Sequence, residues 1–367
     1  MIRVAMVGAG GMGRLHLGNL LRHDDVEIAG VCDERVAAAA EMAASCGAKA
    51  YAGTEELLSS ERVDAAYVCV PPFAHGPVER ALAAAGVSLF IEKPVAADPA
   101  TGLSVLDAVK AAGVITSVGY HWRYADPTRW AAEAIGDSRV LLAAGWWLGT
   151  TPGVGWWRRS AGSGGQVTEQ ATHIVDLARL LLGEVVSVQA DQASLLISER
   201  YPDADIPDVG TALLRFESGA LGVLSNTCSL DHGSTVGLDV FADTVVLQVR
   251  SGTLVEERRG DVRTRHGGGS PMEREDEAFL AAVRTKDRSG IQSTYEDALA
   301  TLAVTHAIKQ AAEQGRRVAL SEGPEIPTEN AVTAAGARPS EAARPQAVGG
   351  GRRAAPPGVT VGPLDAP

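Results

Sequence analysis

The chain has 367 residues, enough for two domains at roughly 100 to 200 residues each, and its 46% hydrophobic and 21% charged content excludes a wholly disordered or fibrous protein. Against 33 basic residues stand 45 acidic ones, a net charge of −12 that argues against a nucleic-acid backbone or an anionic membrane as the main partner. The expected partner is a small molecule.

The N-terminal apolar run meets Gly8 and Gly10 too early to form a signal-peptide core. Cysteines at 32, 46, 69 and 228 match no zinc or redox spacing, so no metal is expected and the thiols suit a reducing cytoplasm. Residues 1–122 alternate short apolar strands with Ala/Leu-rich helical stretches. Strands are predicted at 3–7, 27–32, 48–51, 65–70, 88–91 and 114–118, with helices at 12–21, 36–44, 55–58, 76–85 and 99–112. Nearly continuous apolar strands separated by helices mean a parallel sheet covered on both faces, so an α/β doubly wound Rossmann domain is expected.

The pattern changes over 123–320. A helix at 127–135 and a strand at 139–148 precede a Gly- and Trp-rich loop. The uncharged stretch 140–157 is broken at Gly149–Gly153 after about nine apolar positions, which reads as strand and loop rather than a membrane span. One long helix is predicted at 166–182, then strands at 185–197, 209–216, 220–229, 235–242 and 245–249, and a closing helix pair at 275–285 and 295–314. These elements predict an α+β domain with a mostly antiparallel open sheet that binds substrate and mediates assembly. An uncovered sheet face points to a homo-oligomer, a dimer or tetramer. Residues 321–367 hold 8 of the 18 prolines and no aromatic residue, and they read as a disordered tail.

Gly8-Ala9-Gly10-Gly11-Met12-Gly13 fits G-x-G-x-x-G between a predicted strand and a predicted helix. There Gly8 makes the tight turn, Gly10 admits a pyrophosphate and Gly13 lets helix and strand pack closely, while Gly11 and Met12 open the helix whose N–H groups bind the anion. Asp33 lies about 20 residues on, where an acid takes the ribose hydroxyls. Its carboxylate favours NAD over NADP; Arg35, able to pair with a 2′-phosphate, keeps NADP as the alternative.

The fourth strand runs into Val70-Pro71-Pro72-Phe73-Ala74-His75 and the fifth into Glu92-Lys93-Pro94. With Trp157-Arg158, Gly164-Gly165, His173, Asp176 and Tyr295-Glu296-Asp297-Ala298, this combination resembles the glucose-fructose oxidoreductase/inositol dehydrogenase (Gfo/Idh/MocA) oxidoreductases over about residues 1–320. The resemblance implies a cis Lys93–Pro94 bond. It also implies NAD(P)-dependent hydride transfer between nicotinamide and a secondary alcohol or ketone of a sugar, cyclitol or sugar derivative. A nicotinamide-binding sensor without turnover and an NAD-dependent glycosidase of the same fold are the alternatives.

Lys93, at the carboxyl end of a parallel strand, lies where doubly wound folds bind ligands and can favour a developing oxyanion. Glu169, His173 and Asp176 fall at i, i+4 and i+7, on one face of the predicted helix. The resemblance pairs Lys93 with His173 as general base or acid and makes Glu169, where the family pattern has Asp, the acidic partner. Either Glu169 reaches the substrate and Asp176 holds the imidazole, or Glu169 orients the histidine itself. Val70, Pro72, His75, Glu92 and Lys93 are expected beside the cofactor. His121, Trp122, Arg123, Trp157, Arg158 and Asp176 are expected near the substrate, and at most one of the adjacent Trp146 and Trp147 can face it.

Overall fold

The computed structural model describes residues 1–322. The tail expected from residue 321 onward lies, from residue 323, outside the described residues.

Six parallel strands form the first sheet: β1 (Ile2–Val7), β2 (Val26–Cys32), β3 (Lys49–Tyr51), β4 (Ala65–Val68), β5 (Ser88–Ile91) and β6 (Thr116–Val118), in the order β3-β2-β1-β4-β5-β6. Helices α1 (Gly11–Leu20), α2 (Val36–Cys46), α3 (Thr54–Ser60), α4 (Pro77–Ala84) and α5 (Pro99–Ala112) alternate with them. β4 and β5 are buried at every residue, as strands covered on both faces must be. α5 starts where Asp98 accepts from the Thr101 N–H ahead of Pro99, and it stops at Gly113 in the left-handed region. The strand order reverses between β1 and β4, which opens a crevice at their carboxyl ends.

The second sheet has nine strands: β7 (Val140–Leu148), β8 (Val185–Ala193), β9 (Val209–Phe216), β10 (Leu221–Thr227), β11 (Val236–Ala242), β12 (Val246–Arg250), β13 (Thr253–Arg258), β14 (Asp261–His266) and β15 (Val318–Ala319). All neighbours are antiparallel except β7 and β10. α6 (Asp126–Ile135), α7 (Ser160–Ser163), α8 (Gln166–Glu169), α9 (Thr172–Leu182), α10 (Ile197–Arg200), α11 (Pro271–Thr285) and α12 (Tyr295–Gln314) complete the order. β9 alternates strictly, burying Gly210, Ala212, Leu214 and Phe216 on the helix side. Leu213 and Leu221 stand on the other face, exposed, beside Leu142 of the paired β7.

The last two helices return to the first sheet. Phe279 of α11 packs edge-on against Tyr67, which stacks on Phe90 with centroids 4.7 Å apart. Tyr295, Ala298, Leu299 and Leu302 of α12 join the core between α5 and β6. No described helix is long and apolar enough to cross a membrane.

Candidate active site

The turn after β1 is shaped by contacts only glycine allows. Gly8 has φ +99°, and a Cβ there would stand 2.3 Å from the Cys69 carbonyl oxygen; a Cβ on Gly13 would stand 2.1 Å from that of Gly8. Nothing lies within 4 Å of the same position on Gly10 or Gly11. α1 begins there with no side-chain cap, so its first N–H groups are free for an anion. Met12 is partly exposed on the same turn.

Asp33, just past β2, accepts from the Ala9 and Arg35 N–H groups at 2.8 Å each. Burial opposes its charge, but those two N–H groups and the Arg35 cation outweigh it and hold the carboxyl below its ordinary range. The Arg35 guanidinium leans on this carboxylate at 3.3 Å. An open glycine cradle, an uncapped helix start and an ionised acid at the second strand fit a dinucleotide. Asp33→Ala is expected to weaken NADH binding about tenfold, the scale of one hydrogen bond to a charged group, and to narrow the preference over NADPH. Unchanged NADH affinity in a fluorescence titration would contradict that role.

Past β4, Val70 is half-buried and Pro72 opens a 3₁₀ turn leading to buried His75. His75 Nδ1 contacts Glu79 Oε1 at 2.5 Å, and Glu79 Oε2 accepts from the Gly76 N–H at 2.6 Å. His75 Nε2 is buried with no hydrogen-bond partner in the protein.

β5 delivers Glu92 and Lys93, and the Lys93–Pro94 bond is cis. Glu92, expected beside the cofactor, is engaged by protein partners: Oε1 meets His16 Nε2 at 3.1 Å and Oε2 accepts from the Lys93 N–H at 3.0 Å. His16 Nδ1 lies 2.7 Å from Asp276, which also accepts from Asn19 at 2.8 Å. Burial opposes a charge on His16, but Asp276 and Glu92 override it and push its pKa up to about 10. At Glu275 burial wins instead: neither of its oxygens has a partner, and its carboxyl is raised well above the usual range. The resulting ion-paired core anchors the backbone from which Lys93 projects. Sequence reasoning missed His16 and Asp276.

Lys93 Nζ reaches into the second domain, donating to the Glu169 carbonyl and to Glu169 Oε1, both at 2.9 Å. Burial would lower its pKa, but the Glu169 and Glu92 carboxylates raise it, so the amine is an ammonium ion. These contacts explain why the single helix predicted at 166–182 is two. In a continuous helix the Glu169 carbonyl would accept from the His173 N–H; here it accepts from Lys93, and His173 N turns to Gln170 O at 3.3 Å. α8 therefore ends at Glu169 and α9 starts at Thr172.

The break also dissolves the expected stripe of three ionisable groups. Asp176 does not hold the imidazole: it accepts two bonds from Arg123, at 2.7 and 2.6 Å, and one from Thr301 at 2.9 Å. Arg123, expected near substrate, is consumed by Asp176 and Asp297, and Trp122 is packed in the second core. Arg158 lies over the Tyr201 ring at 4.4 Å, within 3.8 Å of Asp203. Trp157 donates Nε1–H to Glu169 Oε2 at 2.5 Å, so that carboxylate bridges the ammonium and the indole.

His173 is fixed by rings rather than by a carboxylate. Trp147 stacks on it at 5.8 Å, while Tyr120 and His121 meet it edge-on at 5.8 and 4.8 Å. Burial above all, then the charges of Lys93 and His121, drive its pKa well below the ordinary histidine value. Burial likewise pushes His121 down to about 4, against the pull of Glu92. The arrangement is an ammonium donor, a carboxylate that positions it and a neutral imidazole on the helix that follows.

Comparison with known proteins gives two matches that together cover most of the chain. Residues 2–120 match the oxidoreductase family with an NAD-binding Rossmann fold, and residues 128–248 match the GFO/IDH/MocA C-terminal domain. Among similar proteins are the myo-inositol 2-dehydrogenase of Thermotoga maritima, 28% identical over 88% of this chain and 99% of its own, and the inositol 2-dehydrogenase of Rhizobium meliloti, 26% identical over 87% and 99%. The WlbA dehydrogenase of Bordetella pertussis, solved with NADH and UDP-GlcNAcA, shares the fold at a TM-score of 0.76 and 24% identity, over 87% of this chain and 98% of its own.

Proposed function

From the membership of this chain in the Gfo/Idh/MocA family of NAD-binding oxidoreductases, we propose that it oxidises a secondary hydroxyl of an uncharged cyclitol or sugar, with Lys93 and His173 at the reacting carbon. The observation that carries this reading is the 2.9 Å contact of Lys93 Nζ with Glu169, which ties the lysine of one domain to the short helix that precedes the histidine-bearing helix of the other, where its charge acts on His173.

Bound nicotinamide supplies the hydride acceptor. Lys93, two of its donors held by Glu169, has a third N–H for the substrate oxygen and stabilises negative charge as it develops there. His173, neutral because it is buried, accepts the hydroxyl proton. An uncharged substrate is supported by the charge balance: Glu169 neutralises Lys93, and the two arginines expected at the substrate are engaged with Asp176, Asp297 and Asp203. The names of the inositol dehydrogenase relatives agree with it. A panel of cyclitols, aldoses, uronic acids and sugar phosphates, followed by reduced-nicotinamide absorbance, is expected to give turnover on the uncharged members. Preference for the phosphorylated or carboxylated ones would overturn it.

The base must also remain unprotonated in mild acid. Burial favours the neutral imidazole, so kcat/KM for alcohol oxidation is expected to stay level as pH falls through 6.5, the ordinary histidine value, and to decline only below it. A half-maximal point at or above 6.5 would contradict a buried base.

The exposed leucines of the second sheet support a homo-oligomer formed through that face, checked by sedimentation. Four free thiols support a cytoplasmic location.

A further inference from the structure

A proton taken by His173 needs a way out, and the structure closes most of them. His173 Nδ1 is buried and unpartnered; what little exposure the residue retains lies elsewhere on it. Nearby carboxylates are committed, Glu169 to Lys93 and Trp157, Asp176 to Arg123 and Thr301. The Tyr120 hydroxyl is bonded to Thr172 at 2.8 Å and burial raises its pKa, while the Trp147 indole has no basic atom. The remaining ring against His173 is His121, its centroid 4.8 Å away at an interplanar angle of 62°. His121 is half-buried where His173 is fully enclosed. No hydrogen bond joins the two imidazoles directly, so a proton passing between them would travel through a bridging water.

We propose that His121 is a proton-relay residue, receiving from His173 Nδ1 the equivalent of the proton that the substrate hydroxyl delivers to Nε2 and passing it to solvent. This rests on the reading of His173 as the base. The O–H bond breaks as N–H forms at Nε2; the Nδ1–H bond breaks as N–H forms on His121; His121 then returns to neutral by giving its proton to water or buffer. The carbon loses hydride to NAD, so each alcohol oxidised yields one reduced nicotinamide and one released proton. Besides His173, the charges acting on His121 are those of Glu92, Lys93 and His16, and the depressed basicity of both rings keeps either from trapping the proton.

The test uses the full chain with NAD, a substrate from the uncharged panel, and the variants His121→Phe and His121→Asn. The rate of nicotinamide reduction in a single turnover is expected to fall about tenfold or more in both, with NADH affinity unchanged. Added imidazole should restore it saturably in His121→Asn, which leaves room for it, and leave the wild type unaffected. Wild-type rates in both variants, or a loss that imidazole fails to recover in a His121→Asn protein that melts and binds NADH normally, would overturn the relay. His173→Phe separates the two readings. If it is inactive while the His121 variants behave as just described, the relay alone fails; if it retains full turnover, the base assignment fails with it.

Discussion

Replacing His173 with alanine is expected to lower kcat for alcohol oxidation by at least about 10², the scale of a lost general base. The residue is 3% exposed and wedged between Trp147, Tyr120 and His121, so truncation also opens a hole in the core. His173→Phe keeps the ring volume and removes the basic atoms, so it should lose as much turnover with less effect on melting temperature. NADH affinity should change little in either variant, because the glycine turn and Asp33 lie in the other domain. Near-normal kcat in His173→Phe would show that the proton leaves by another route.

Lys93→Met should be of similar or larger effect, at least about 10² in kcat, because it removes both a donor to the substrate oxygen and the charge that favours an oxyanion. It has a second consequence that structural damage alone would not produce. Lys93 is one of the charges that hold the His173 pKa down, so without it the acid limb of the kcat/KM profile should move to higher pH. Because the two side chains act on one oxygen, the double variant Lys93→Met/His173→Phe should cost little more than the worse single one. Fully multiplicative losses and an unmoved acid limb would mean that the two groups act independently.

The first sheet was legible because its strands are buried on both faces and therefore read as short apolar runs; Ser88–Ile91, Pro99–Ala112 and Tyr295–Gln314 fall where periodicity put them. β13 and β14 were missed because they carry no such pattern: Asp261–His266 is exposed at every position and its ladder is made by backbone pairing around Arg259 and Gly260, both at positive φ. In the site, the glycine turn and Asp33 stood out because spacing along the chain sets their geometry. The break at Gln170 did not, since no residue there is a helix breaker and the cause is an amine 76 positions away claiming the Glu169 carbonyl. The His16–Asp276 pair spans 260 positions and left no local signature. Asp176 looked like a partner for His173 on helical spacing, yet Arg123 offered it a bidentate bond that an imidazole cannot match.

The most direct measurement follows deuterium. Full-length enzyme is given NAD and an uncharged cyclitol or sugar deuterated at its ring carbons, and the reduced nicotinamide is analysed by mass spectrometry. One deuterium per nicotinamide is expected from the wild type, with formation slowed at least about 10² in Lys93→Met and in His173→Phe. Reduced nicotinamide that carries no deuterium, or that forms as fast in both variants as in the wild type, would contradict hydride removal between this lysine and this histidine.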